Sequence, residues 1–311
     1  MSQEMDISWQ VLGRIVRSWG GDAAEIAQIQ PLDGGCISTT AAIQLTDGQK
    51  IVCKISPHRV DRSYINEAHQ LNFMANLGLP VPKVYTAKLG TLDDPFSYIL
   101  MEFVEGINLH QAKHKCSGEE FDQLQTQLAE MLLKLHESTA PAYARLEVEP
   151  EPSQFDSWPR FYRTVFDPIY NDVIKIPALP VKTRKQIGKI HERLDRLLQH
   201  DEIPRLVHWD IWSTNILVRP DDDGKWTIAA LLDPNCKFAH FEAEIAYITL
   251  FHTSTPAFLK AYQQRRRLSD EYHRVRKLIY QLYFLLNHVV LFGGDYVRQT
   301  IAAVDRLGAV V

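Results

Sequence analysis

The sequence predicts an α+β chain in two lobes, a small antiparallel sheet with one helix over residues 1–104 and a larger, mainly helical lobe over 105–311. Three observations predict it. Short alternating β-prone runs crowd the first third, two of them joined by the hairpin signal Asp47-Gly48. From Ser117 onward the apolar spacing changes to the period of helices. Near residue 208 the helical text breaks for a second hairpin, with Asp and Asn residues at its entry and exit.

Met5 to Trp19 opens the chain as a helix, with Ile7, Val11, Ile15 and Trp19 at helical spacing and Gly20-Gly21 as its stop. Ile26 to Leu32, Thr39 to Leu45 and Lys50 to Ile55 read as strands, and the glycine turn Gly34-Gly35-Cys36-Ile37-Ser38 lies between the first two. Asp61 to Leu77 is the one helix of this lobe, expected to pack Ile65, Leu71 and Phe73 to Leu77 on the sheet. Leu79-Pro80-Val81-Pro82 stops it, and Val84 to Lys88 and Phe96 to Val104 supply two more strands. In the second lobe Ser117 and Glu120 form a capping box ahead of the stripe Phe121, Leu124, Leu128, Met131 and Leu135. Trp158 to Ile174 and Thr183 to His200 are further helices, and the aromatic set Trp158, Phe161, Tyr162 and Phe166 reads mainly as core. The hairpin around Asp221-Asp222-Asp223-Gly224 follows, and helices resume from Phe241 to the end.

A hydrophobic share of 45% and a charged share of 23% are those of an ordinary globular protein, and 311 residues suffice for two lobes. A net charge of −4 gives no reason to expect nucleic-acid or membrane partners. Cys36, Cys53, Cys116 and Cys236 show no metal spacing, and with no signal-peptide pattern the expected compartment is the cytoplasm. Leu278 to Phe292 is apolar but broken by Gln281, Asn287 and His288, which marks a buried core helix. A monomer or weak dimer is the expected state.

The stretch His208 to Asn215, HWDIWSTN, carries the chemistry. An Asp five residues ahead of an Asn, with a second Asp closing the next strand, is the kinase arrangement of catalytic Asp, Mg²⁺-binding Asn and second Mg²⁺-binding Asp. Here these are Asp210, Asn215 and Asp233. Apolar runs flank them, so the pattern sits on a loop feeding a hairpin and the three side chains can converge. Phosphoryl transfer from ATP with Mg²⁺ is the reaction this predicts. Alternation in IVCKI puts Lys54 on one face with Val52, pointing inward, where an ammonium needs an anion. Glu67 on the following helix is the candidate, and such a pair holds the lysine on the ATP phosphates. Gly34, Gly35 and Ser38 would let backbone N–H groups approach phosphate, and the MEFVEG segment would be the hinge, its Glu102, Phe103 and Val104 backbone meeting adenine. Gly106 would then release the chain into the second lobe.

These residues carry a family resemblance. The pattern His208-x-Asp210-x4-Asn215 with Asp233 is similar to that of the kinase-like small-molecule phosphotransferases, aminoglycoside and choline kinases among them. More narrowly, the chain resembles the fructosamine (ketosamine) kinase family: GGCIS at Gly34 to Ser38, LHES at Leu135 to Ser138, WPRFY at Trp158 to Tyr162, HWDIWSTN, DPN followed by His240-x-Glu242-x-Glu244, and YQLYFLLNH at Tyr280 to His288. The resemblance implies a bilobal protein-kinase-like fold, Asp210 as the base for a sugar hydroxyl, and Asn215 and Asp233 as Mg²⁺ ligands. It further implies that Trp212, Glu242 and His288 face the sugar and amine of a ketosamine acceptor. The chain departs from the family where Trp209 and Thr214 replace Gly and Asn235 replaces a small residue.

The alternatives are a kinase for another hydroxylated amine, such as an aminoglycoside, and an inactive nucleotide-binding module. Against the latter, Lys54, Glu67, Asp210, Asn215 and Asp233 are all present.

Overall fold

The structure, a computed structural model, describes residues 8–32, 39–56, 61–148 and 150–310. Helix α1 (Trp9–Gly20) begins at Ser8, whose side chain accepts the Val11 N–H, and buries Leu12, Ile15 and Val16. Strands β1 (Ile26–Pro31), β2 (Thr39–Leu45) and β3 (Lys50–Ser56) are followed by helix α2 (Ser63–Asn76) and strands β4 (Val84–Lys88) and β5 (Ser97–Glu102). The five strands make one antiparallel sheet in the order β1-β2-β3-β5-β4. Gly48, at φ +90°, turns the β2–β3 hairpin as the Asp-Gly pair predicts.

Strand alternation splits β3 between two cores. Ile51, Cys53 and Ile55 pack against α1, with Tyr98 and Leu100 beside them. Val52 faces the other way, toward Tyr64, Ala68 and Leu71 of α2, and Lys54 follows it to that side. The face of α2 differs in detail from expectation. Tyr64 and Ala68 join Leu71 on the sheet, whereas Phe73 and Leu77 pack into the core of the second lobe.

The chain crosses to that lobe through Gly106, where a Cβ would stand 2.8 Å from the carbonyl oxygen of Val218, so that only glycine passes. Next come β6 (Ile107–Asn108), α3 (Leu109–Ala112), α4 (Gly118–Glu137), β7 (Ala144–Arg145), α5 (Trp158–Val173), α6 (Val181–Leu197), β8 (Arg205–Val207), β9 (Ile216–Pro220), β10 (Trp226–Leu231) and β11 (Lys237–Ala239). Helices α7 (Phe241–Leu250) and α8 (Pro256–Arg265), a π-helical turn over Tyr272–Arg276, and helices α9 (Lys277–Phe292) and α10 (Asp295–Gly308) complete it. The capping box at the start of α4 is present: Ser117 N donates to Glu120 Oε2 and Glu120 N to Ser117 Oγ.

Two small antiparallel sheets carry the loops that matter, β10-β9-β6 and β7-β11-β8. They rest on one large core in which Trp158, Phe161, Tyr162 and Phe166 of α5 are buried and Trp158 Nε1 donates to Tyr280 Oη at 3.0 Å. Among the described residues no helix is long and apolar enough to cross a membrane, and α9 is a core helix with Ile279 to Leu286 buried.

Polar side chains of α2 stitch the two lobes together. Gln70 Nε2 donates to Leu146 O and Gln70 Oε1 accepts the Cys236 N–H, both at 2.9 Å, and Asn66 Oδ1 accepts from Val148 N at 3.0 Å. Gln70 stands one helical turn after Glu67, so the helix is fixed close to where its carboxylate is used.

Candidate active site

The loop between β8 and β9 and the turn after β10 are each shaped by a backbone conformation that side chains rarely adopt. Trp209 has φ +70° and Asp233 φ +55°. Both lie in the left-handed region, costly for an indole-bearing residue and milder for Asp. Glu244 compensates at Trp209: its Oε1 accepts the Trp209 N–H at 2.7 Å, while its Oε2 accepts from His136 Nε2 at 2.8 Å. A glycine would take this backbone without strain. The Trp209 ring turns into the lobe interior, 4% exposed, beside Tyr283 and Phe284.

That turn presents Asp210. Its Oδ1 accepts from Tyr247 Oη at 2.6 Å, and its Oδ2 accepts from Asn215 Nδ2 at 3.2 Å. Asn215 Nδ2 also donates to the Asp210 backbone carbonyl at 3.1 Å, and Asn215 N donates to Trp212 O at 2.9 Å. Burial pushes the Asp210 carboxyl above its ordinary range; the Tyr247 hydrogen bond opposes this, Asp233 adds to it, and Lys237 and Asn215 pull it back.

The sheet lobe supplies the opposite wall. Lys54 Nζ bonds Glu67 Oε1 at 2.5 Å and also pairs with Asp233 Oδ1. Burial disfavours the lysine charge, but the two carboxylates outweigh it and hold its pKa above the ordinary value. Burial likewise raises Glu67, with Lys54 opposing. The sheet, α2 and the loop after β10 thus deliver Lys54, Glu67 and Asp233 to one ion-pair cluster, close enough to Asp210 for the Asp233 charge to push the Asp210 carboxyl up.

The donor set fits a hard divalent cation. Asn215 spends its amide hydrogens on Asp210, which leaves its Oδ1 as an oxygen donor, and the Asp233 side chain is 43% exposed. Among the described residues no group of three His, Cys, Asp or Glu side chains forms a protein-only metal cage. One carboxylate, one amide oxygen and substrate phosphates are what Mg²⁺ commonly uses.

Other expected residues fall into place unevenly. The Glu102 N–H donates to Lys83 O at 2.8 Å and is spent within the sheet lobe. Phe103 and Val104 follow at the crossing, with Lys50 Nζ 5.5 Å from the Phe103 ring centroid. Gly34, Gly35, Cys36 and Ser38 lie outside the described residues. Trp212 is 39% exposed, two residues past Asp210. His288 is half-buried; its Nδ1–H donates to Phe284 O at 2.8 Å, which makes Nε2 the acceptor nitrogen, and burial lowers its pKa. Rings link it to Tyr247: Phe251 is 4.7 Å from His288 and 5.0 Å from Tyr247.

Glu242 requires a correction. It is 1% exposed, and Arg276 Nε at 2.9 Å, Ser269 N at 2.9 Å and Ser269 Oγ at 2.6 Å saturate its carboxylate. Glu244 is equally buried, held by His136 and Trp209. Residues 241 to 248 are all buried, so α7 has no polar face through which these acids could reach an acceptor. Tyr247 is the site residue that sequence reasoning missed; only a tyrosine one turn beyond Glu244 hinted at it.

Comparison with known proteins agrees with this geometry. A family model described as fructosamine kinase matches residues 8–309. The chain belongs to the fructosamine kinase family. It is similar to the probable ketoamine kinase YniA of Escherichia coli K12 (25% identity over 310 residues, 96% of this chain and 99% of that protein). It is also similar to the chloroplastic protein-ribulosamine 3-kinase of Oryza sativa subsp. indica (26% over 302 residues, 93% and 82%). Among solved structures, a candidate fructosamine-3-kinase from Thermobifida fusca has the same fold (TM-score 0.73, 23% identity, 95% of this chain and 98% of that one). So does a thermostable mutant of aminoglycoside phosphotransferase APH(4)-Ia (TM-score 0.69, 16% identity, 96% and 98%). The protein is therefore an ATP-dependent small-molecule kinase with the bilobal fold of that class.

Proposed function

We propose that this kinase moves the γ-phosphate of ATP to a sugar hydroxyl of a ketosamine, a fructosamine or ribulosamine carried on a small amine or a protein. The observation that carries the reading is the convergence of Asp210 and Asn215 from the helical lobe with the Lys54–Glu67–Asp233 cluster. The division into a nucleotide lobe, 1–104, and an acceptor lobe, 105–311, is part of the same reading.

Lys54, held by Glu67, would orient the α- and β-phosphates. Asn215 and Asp233 would hold Mg²⁺, which when bound offsets phosphate charge. Asp210 would accept the proton of the acceptor hydroxyl as its oxygen bonds the γ-phosphorus and ADP leaves. With Glu242 and Glu244 committed to the interior, the acceptor amine would meet π faces instead: the exposed indole of Trp212 and the row Phe251, His288 and Tyr296, whose rings lie 4.7 and 4.8 Å apart in turn. The His288 Nε2 lone pair would accept from a sugar hydroxyl.

The test is turnover, read as ADP release with Mg²⁺, on a panel of fructosyl and ribulosyl amines, an aminoglycoside and an uncharged polyol. Phosphorylation of a ketosamine at the highest kcat/KM is expected. A preference for the polyol or the aminoglycoside would overturn the acceptor assignment.

A further inference from the structure

We propose that Tyr247 is a positioning residue that clamps one oxygen of Asp210 and reserves the other for the acceptor hydroxyl; this rests on the reading of Asp210 as the base. The terminal torsion of an aspartate is soft, so a base on a loop must be held if its lone pairs are to face the substrate. Two donors hold Asp210, unequally. Tyr247 Oη reaches Oδ1 at 2.6 Å, a short charge-assisted bond, whereas Asn215 Nδ2 reaches Oδ2 at 3.2 Å and shares itself with the Asp210 carbonyl. Asn215 also has the metal to serve.

Tyr247 is built for such a role. It sits within α7, 4% exposed, its ring between Phe284 at 4.4 Å and Phe251 at 5.0 Å, so its hydroxyl is aimed by packing. Burial and the adjacent Asp210 charge push its pKa far above the ordinary phenol range. The hydroxyl is thus a permanent donor: it neither supplies the transferred proton nor competes for it. The acceptor O–H then donates to Oδ2, its proton passes there as its oxygen bonds phosphorus, and the Tyr247 O–H stays intact.

Tyr247→Phe removes one oxygen atom and leaves the ring packing. It should lower kcat about tenfold, as loss of one hydrogen bond to a charged group would, with KM for ATP and for the acceptor each within about twofold. In the Asp210→Ala background, Tyr247→Phe should have no further effect on the residual rate. The inference is overturned by an unchanged kcat, by a lower acceptor KM at unchanged kcat, which would make Tyr247 a competitor for the acceptor's place, or by an additive loss in the Asp210→Ala background. If Asp210→Ala itself keeps more than about a tenth of the wild-type rate, where a base should contribute roughly 10²–10⁴-fold, the base assignment fails. An active Tyr247→Phe beside an inactive Asp210→Ala removes only the inference drawn for Tyr247.

Discussion

The ammonium of Lys237 lies 4.8 Å from the ring centroid of Trp209, and its remaining partners are the backbone and side-chain oxygens of Asn235, at 2.7 and 2.8 Å. Trp209 and Asn235 therefore serve one buried lysine. Lys237 is 1% exposed and, among the described residues, its ammonium forms no ion pair with a carboxylate, an arrangement that is costly unless each hydrogen finds an acceptor or a π face.

Trp209→Gly sets two effects against each other. Relief of the left-handed backbone is worth about 1–3 kcal/mol, while loss of a buried ring costs about 3–5 kcal/mol and strips Lys237 of its π face. Packing should win, and thermal unfolding should show a lower Tm. Adding Lys237→Met should recover part of the loss, and a Tm for Trp209→Gly at or above wild type would refute this balance.

On the proposed reading, Lys54→Ala and Asp233→Asn both bear on the nucleotide. Lys54→Ala should raise the apparent KM for ATP and cut turnover through misplaced phosphates. Asp233→Asn should abolish the extra thermal stabilisation that Mg²⁺ adds to ATP, because an amide lacks the charge a hard cation requires. ATP kinetics unchanged in both variants would mean that the nucleotide binds elsewhere.

Glu242→Gln and Trp212→Ala should behave in opposite ways. The first leaves Arg276 buried without its anion and should destabilise the fold by about 3–5 kcal/mol, with substrate KM values nearly unchanged in the folded fraction. The second removes an exposed ring and should raise the acceptor KM much more than the ATP KM at nearly constant Tm. Denaturant unfolding and steady-state kinetics on the same preparations separate the two, and a selective rise in acceptor KM for Glu242→Gln would return that residue to the site.

Acid should destabilise the protein through His208, whose pKa burial lowers to about 4. The unfolded chain takes up the proton near pH 6.5 and the folded chain does so only near 4, so this contribution to stability is complete above about 6.5 and is lost between there and about 4. At pH 5 the loss from this residue is about 2 kcal/mol. A Tm several degrees lower at pH 5 than at pH 7.5 is expected in calorimetry, with a smaller difference in a folded His208→Asn variant. A Tm that rises on acidification would contradict it.

The legible part of the site was the part written in short spacing. Asp210, Asn215 and Asp233 bracket one hairpin, and Lys54 betrays itself as a charge in an alternating strand, so motif and period suffice. Glu67 could be named because the helix after that strand offered a carboxylate. Contacts made by helix packing were not legible: Tyr247 meets Asp210 across 37 residues and Gln70 meets Cys236 across 166. Glu242 was misread for the same reason. The resemblance implies that Glu242 faces the acceptor, but residues 241 to 248 are all buried, and Arg276, which neutralises Glu242, arrives from a distant π-helical turn.

Gln70 and Asn66 give the two lobes a shared anchor with a consequence for control. Protein kinases switch by moving the helix that carries the glutamate partner of the phosphate lysine. Here that helix could swing away only by breaking the Asn66 bond to Val148 and by parting the buried Gln70 amide from Leu146 and Cys236, the latter two each a loss of about 1–3 kcal/mol. Any departure of Glu67 from Lys54 would therefore also break the seam between the lobes, which ties the ion pair of the small lobe to the packing of the large one.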